Sequence, residues 1–227
     1  MDHDELQQRF AVLTTAHLAD ACIRAQVQVR CAPTGLRAAT LGDRIAGRVC
    51  PVRHVGSVDV FLEALTEAAP GDVLVVDNGG RLDESCVGDL VILEVLGAGL
   101  AGIVIWGLHR DSADIRAIGL PVFSLGTIPT GPLHLGDRRG DALESASVGE
   151  WTVGRADLVL CDDDGALFVP AARADEILAL AEAIHDTERG QASRIRSGVS
   201  LRDQVRFDPA TRRNLGSRTR DPTIARR

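Results

Sequence analysis

Short apolar runs joined by polar, glycine-rich links dominate the middle of the chain. Val73–Val76 is a continuous β-branched and leucine run, as a strand buried on both faces requires. A polar loop, Asp77 to Val87, follows it. Asp89–Leu96 is apolar nearly all round except Glu94 and predicts a buried helix. Gly97, Gly99 and Gly102 break that pattern before a second strand, Ile103–Trp106. After Gly107 to Asp111 come a short helix around Ala113–Ile118 and a strand, Pro121–Ser124. Strand, helix and strand with short links predict an α/β fold with a parallel βαβ core.

The flanks are less regular. Residues 4–24 have helical spacing with a break near Thr14-Thr15, where Thr15 is the expected cap of a second helix. Turn residues around Pro33 and Gly35 lead to a strand over Ile45–Val52. Ser57 is the expected cap of a helix through Ala68 that places Phe61, Leu62 and Leu65 inward, and Pro70-Gly71 ends it. Thr127–Asp141 is punctuated by Gly, Pro and Asp. Leu158–Cys161 and Ala166–Val169 predict a hairpin across Asp162-Asp163-Asp164-Gly165, with Asp-Gly as its left-handed turn. A helix over Ala171–Arg189 closes the globular part.

Composition narrows the chemistry. The chain has 227 residues, enough for one sizeable core. It holds no lysine: all 25 basic residues are arginine. A Schiff-base lyase needs an amine nucleophile and pyridoxal phosphate needs a lysine anchor, so both are excluded. Bond cleavage next to a carbonyl would then need a metal ion or fixed positive charge. The five cysteines are scattered without a CxxC pair, which fits reduced thiols better than zinc or a disulfide framework. No apolar run is long enough to cross a bilayer and the acidic start is unlike an export signal, so a cytoplasmic location is expected.

Charge divides the chain into an expected globular domain, residues 1–193, and an Arg-rich tail, residues 194–227. The tail holds 10 arginines against 3 acids. With Phe207 as its single aromatic residue it offers almost nothing to stack on bases, so it is read as partly disordered or subunit-wrapping and not as a nucleic-acid arm. Gly97, Gly99 and Gly102 spell GxGxxG, but that string follows a helix and precedes a strand, the reverse of a dinucleotide site. The triple Asp at 162–164 lacks the later glutamate of a calcium loop. His17, His54, His134 and His185 have no partners at ligand spacing, and Ser85 and Cys86 have no identifiable base.

The strongest chemical signal is Gly88-Asp89 at a helix start and Arg110-Asp111 after the next strand. A helix over 89–98 rises about 15 Å, and a five-residue strand returns about 17 Å. The two pairs should meet at one sheet edge, beyond the carboxyl ends of the strands. There a guanidinium and helix N–H groups would hold the carboxylate and oxo oxygens of a 2-oxo acid. Asp111, with Asp89 behind it, would hold Mg²⁺ or Mn²⁺.

Gly88-Asp89, twenty intervening residues and Arg110-Asp111 resemble the active-site motif of the 4-hydroxy-4-methyl-2-oxoglutarate aldolase / RraA-like family. The likeness extends through Pro70–Asp77, Gly119–Phe123 and the Asp162–Gly165 hairpin, covering roughly residues 12–190. It implies a swivelling β/β/α sandwich, homotrimers or hexamers, and a metal-dependent (class II) lyase. That lyase would release pyruvate from 4-hydroxy-4-methyl-2-oxoglutarate-type acids or decarboxylate oxaloacetate. By matching positions, Gly88, Asp89, Leu90 and Val91 would contact substrate through their amides. Arg110 would bind substrate as a catalytic residue, Asp111 would ligate the metal, and Asp89 would act through water on it. The family also implies an alternative, a non-catalytic regulator that binds ribonuclease E. Two departures, Trp106-Gly107 in place of Asp-Gly and His109 before Arg110, bear on which substrate is taken.

Overall fold

Residues 1–207 are described in the computed structural model, and they fall into two compact units that divide between His185 and Asp186. Helix α1 (His3–Phe10) is capped by Asp2 and α2 (Thr15–Arg24) by Thr14. Thr14, not the expected Thr15, is the cap because its Oγ accepts from the His17 backbone N–H while the Thr14 N–H donates to His17 Nδ1. Thr15 is engaged elsewhere: its N–H and hydroxyl both donate to the buried Asp162 carboxylate at 2.7 Å.

Two short strands, β1 (Arg30–Cys31) and β2 (Arg37–Ala38), precede the long β3 (Ile45–Arg53). Next come α3 (Asp59–Glu67), β4 (Val73–Asp77), β5 (Ser85–Val87) and α4 (Asp89–Gly97). The chain continues with β6 (Gly102–Trp106), β7 (Leu108–His109), α5 (Ser112–Ile118) and β8 (Val122–Ser124). A small hairpin, β9 (Ala146–Val148) and β10 (Trp151–Val153), leads to β11 (Asp157–Asp162) and β12 (Gly165–Pro170). A 3₁₀ turn over Ala171–Arg173 runs into α6 (Ala174–Arg196), longer than the sequence pattern indicated, and α7 (Leu201–Gln204) follows. Within the second unit, Ser200 caps α7 and Arg194 Nε donates to Gln204 Oε1 at 2.8 Å. The expected tail from residue 208 onward lies outside the described residues.

Eight strands form one mixed sheet in the order β1-β12-β11-β3-β4-β6-β8-β2. Its centre, β3-β4-β6-β8, is parallel, as the apolar runs predicted. β3 joins two pairings: Ile45–Arg48 runs antiparallel to β11, and Val49–Arg53 parallel to β4. The sheet curls around a core of Val49, Val73, Val75, Val104, Phe123 and Phe168. Alternate residues on the same strands, Leu74, Val76, Ile103 and Ile105, face outward onto α3 and α4. A third cluster packs α1, α2 and the first part of α6 on β11 and β12.

Four further expectations need correction. Asp89–Leu96 is not buried all round. Ile92 and Val95 are fully buried, whereas Leu90, Leu93 and Leu96 are 72%, 48% and 45% exposed. In α3, Phe61 is buried as expected beside Val60 and Ala64, and Leu65 packs partly buried on the same cluster, but Leu62 is exposed. The N-cap is Val58, one residue beyond the expected Ser57, and the helix starts at Asp59, although Ser57 Oγ does accept from Asp59 N at 3.2 Å. The 162–165 turn places its positive φ on Gly165 alone, at +129°.

Candidate active site

Parallel strands that stop together bring the predicted pairs to one edge. β4 and β6 are in register up to Asp77 opposite Trp106, and β5 and β7 form a second small parallel pair above them. Val87 in β5 therefore lies beside His109 in β7, and the Arg110 N–H donates to Val87 O at 3.0 Å. α4 starts immediately after β5, and α5 immediately after Asp111.

At that edge Asp111 Oδ2 accepts from the Asp89 N–H at 3.4 Å and lies 3.4 Å from Arg110 Nε. Asp111 sits in the left-handed region, φ +60° and ψ +39°, as the residue before α5. Aspartate tolerates this conformation better than most side chains. Gly88 lies against both partners: a Cβ there would come 2.5 Å from Asp111 Oδ2 and 3.2 Å from Arg110 Nε. A Cβ on Gly131 would meet Arg110 Nη1 at 2.6 Å, so two glycines leave room for one guanidinium. The first intrahelical acceptor of α4 is Gly88 O, taken by the Ile92 N–H. The Leu90 and Val91 N–H groups thus precede the helix ladder and face any anion bound there. The Arg110 and Asp111 side chains are 45% and 35% exposed, so their ion pair adds little stability.

Gly88 to Val91 and Arg110 line one side of a cavity of about 600 Å³, and Asp111 borders a neighbouring one of about 280 Å³ that Arg110 also lines. His54, Val58 and Phe61 line another part of the larger cavity, and Pro132 and Leu135 complete it. Nothing in its spacing marks His54 in the sequence. It arrives because β3 and β4 end in register, and its N–H donates to Asp77 O. Its ring stacks on Phe61 with centroids 5.1 Å apart, and Nδ1 lies 2.9 Å from Asn78 Oδ1. Burial pushes the imidazole below its ordinary pKa despite the Asn78 bond. Glu84, also unmarked in the sequence, is buried and accepts from Leu133 N at 2.7 Å, which holds the 127–141 loop over the cavity.

The discounted nucleophiles are inert here. Burial pushes the Cys86 thiol up to about 12, and Ser85 Oγ donates to Thr130 O at 2.7 Å. Neither departure from the family pattern lines the main cavity. Trp106 packs on Gly80. His109 is buried, 2.8 Å from Ser124 Oγ, and borders a separate pocket of about 380 Å³ with Arg37 and Arg116. His17 and His185 pack edge-to-face at 5.4 Å, a pairing that sequence spacing does not show.

Among the described residues no group of three or more His, Cys, Asp or Glu is arranged to cage a metal. The donors at the edge, the carboxylates of Asp111 and Asp89, fit Mg²⁺ or Mn²⁺, which bind through one or two carboxylates and keep their waters. They do not fit a structural zinc site, which needs four protein ligands.

Comparison with known proteins agrees with this architecture. The chain is 31% identical over 138 residues to a Halalkalibacterium halodurans protein named "Putative 4-hydroxy-4-methyl-2-oxoglutarate aldolase", covering 60% of this chain and 64% of that one. It is 31% identical over 136 residues to Protein DlpA of Legionella pneumophila, covering 60% of this chain and 22% of that one. The chain thus spans less than two thirds of either relative. Among solved structures it resembles Streptomyces coelicolor RraAS2, titled an unusual member of the RNase ES inhibitor RraA protein family. The TM-score is 0.72 at 29% identity, covering 83% of this chain and 96% of that one. Residues 15–168 match the RraA-like family, described as Aldolase/RraA, and the chain belongs to it.

Proposed function

We propose that the protein is a divalent-metal-dependent lyase that releases pyruvate from 4-hydroxy-2-oxo acids and decarboxylates oxaloacetate. One observation carries this reading: Arg110, Asp89 and the start of α4 line one edge of a cavity, and the Asp111 carboxylate lies 3.4 Å from both Arg110 Nε and the Asp89 backbone nitrogen. Arg110 grips the substrate carboxylate, where a planar fork makes two parallel hydrogen bonds. The Leu90 and Val91 N–H groups add dipolar stabilisation to the same end. Asp111, and Asp89 through a water, would hold Mg²⁺ or Mn²⁺, which when bound would supply the Lewis acidity that stabilises an enolate. Asp89, at the same edge, takes the proton from the substrate hydroxyl. The 127–141 loop, held by Glu84, covers part of the cavity and limits water.

The test is pyruvate release with and without a chelator, in the wild type and Arg110→Ala. A loss of at least about a hundredfold in each case is expected, since both remove charge stabilisation at the reacting end. Turnover indifferent to the chelator or to Arg110→Ala would overturn the reading. The likeness to RraAS2 favours a second reading, a regulator that binds a ribonuclease. Inhibition of ribonuclease E together with no turnover of any 2-oxo acid would put that reading first.

A further inference from the structure

The lyase reading leaves one side chain of the cavity wall without a task. His54 lines the cavity, yet only 7% of it is exposed. Its ring is fixed by its neighbours: one face stacks on Phe61, Nδ1 lies 2.9 Å from the Asn78 amide, and the Gly56 N–H donates to Nδ1 at 3.4 Å. The remaining polar atom, Nε2, bonds to no group among the described residues. Two observations say which nitrogen carries the proton. The Gly56 N–H points at Nδ1, so Nδ1 offers a lone pair. Asn78 Nδ2 is buried without a partner, on the side of Gly107, while Oδ1 faces the ring. Half a turn of the amide gives that N–H the Nδ1 lone pair and leaves the carbonyl toward Gly107, and a buried carbonyl goes underused at less cost than an N–H. Both donors then end on Nδ1, and the ring's proton belongs on Nε2. Burial disfavours a second proton, with Glu84 and Arg81 of the 77–87 loop acting on the ring in opposite senses.

We propose that His54 is a specificity-determining residue whose Nε2–H donates to the second carboxylate of a dicarboxylic 2-oxo acid, the first being held by Arg110. This deepens the lyase reading and rests on it for the Arg110 anchor. A cavity of about 600 Å³ has room for an acid longer than pyruvate to reach from one group to the other. A hydrogen bond to an ionised acceptor is roughly twice as strong as one between neutral groups. An acid with an alkyl end would leave the buried N–H unpaired, which is how a polar site rejects an apolar analogue. His54 touches the substrate away from the bond that breaks, so it governs which acid is held and moves no proton.

Two measurements on the Mg²⁺-supplemented full chain test this. In the first, long-range proton–nitrogen correlation on nitrogen-15-labelled wild type reads which ring nitrogen carries the proton, with His54 assigned by the resonance lost in His54→Gln. At a pH well above the ordinary imidazole pKa the Nε2–H tautomer is expected, and an Nδ1–H tautomer would overturn the proposal. In the second, calorimetry compares 2-oxoglutarate with 2-oxopentanoate, which has the same chain length but a methyl end. Neither has a C4 hydroxyl, so neither is cleaved. Wild type should bind the diacid at least about tenfold more tightly, the size of one charge-assisted hydrogen bond. His54→Phe keeps the ring stack without the donor and should abolish that preference by weakening the diacid alone. His54→Gln keeps an N–H at similar reach and should retain part of the preference. Equal binding of the two acids by wild type, or a folded His54→Phe that keeps the preference or weakens both acids together, would overturn the proposal. Should His54→Phe fail to fold, the tautomer and the wild-type and His54→Gln preferences decide. The expected tautomer and preference with no pyruvate from 4-hydroxy-4-methyl-2-oxoglutarate would uphold His54 and remove the lyase reading.

Discussion

Gly88 has an extended backbone, φ −126°, that any residue can adopt, so what it supplies is space for the Asp111 and Arg110 side chains. Gly88→Ala should therefore leave the fold within about 1 kcal/mol of wild type, because the clashing atoms end a flexible side chain. It should cost roughly a hundredfold in kcat by displacing Asp111, as small misplacements at a reacting centre do. Thermal melts beside a pyruvate-release assay check both parts, and an unimpaired kcat would show that the close approach is incidental. His54 and His109 make the opposite case, residues whose environment shows only in the fold. Burial lowers the pKa of each below the ordinary 6.5. Above that value both rings are neutral, folded or unfolded, and no stability is lost. As pH falls below about 6.5 the unfolded chain takes up protons that the folded one resists, so stability declines until the folded pKa values are passed. Urea titrations at a series of pH values should show this decline, shallower in His54→Asn. An identical slope in that variant would exclude His54 as a contributor.

At the scale of elements, the sequence was most legible where burial is two-sided. Val73–Val76 and Ile103–Trp106 are strands whose alternate residues feed two clusters, so they read as unbroken apolar runs. The rise and return of α4 and β6 were enough to place Asp89 beside Asp111. β5, β7, β9 and β10 have two or three residues each, too few for any period to show. Thr14 took the cap because Thr15 answers to Asp162, a partner 147 residues away that no local pattern reveals. The same holds for Glu84, whose bond to Leu133 spans 49 residues and fixes the segment bearing Pro132 and Leu135. Glu84→Ala leaves the Leu133 N–H without its acceptor and should cost about 1–3 kcal/mol. It should raise KM more than it lowers kcat, since the loop shapes the cavity wall and carries no reacting group. Steady-state kinetics and denaturant unfolding test this, and a kcat effect larger than the KM effect would assign Glu84 to the chemistry instead.

For the whole molecule, α4 bears on assembly. Leu90, Leu93 and Leu96 lie toward one side of the helix and stay exposed, while Ile92 and Val95 on the other side fill the core. That division explains why the segment looked buried all round in sequence: each face carries apolar residues, and one chain covers only one of them. Three exposed leucines spaced three apart form a stripe of the kind that marks an interaction face. In the expected homotrimer or hexamer, a second copy of the chain would be the partner that covers it. The stripe adjoins Gly88 and Asp89 on the same helix, so assembly should also affect the active site. Leu93→Glu with Leu96→Glu would place two charges in the contact while leaving Ile92 and Val95 untouched. The double variant is expected to melt near the temperature of the isolated wild-type subunit and to elute as a monomer in size exclusion with light scattering. Its pyruvate release should fall at least about tenfold if neighbouring copies help to close the cavity. A wild type that is monomeric at micromolar concentration, or a double variant that remains a trimer, would assign the stripe to another partner, and a ribonuclease would then be the first one to test.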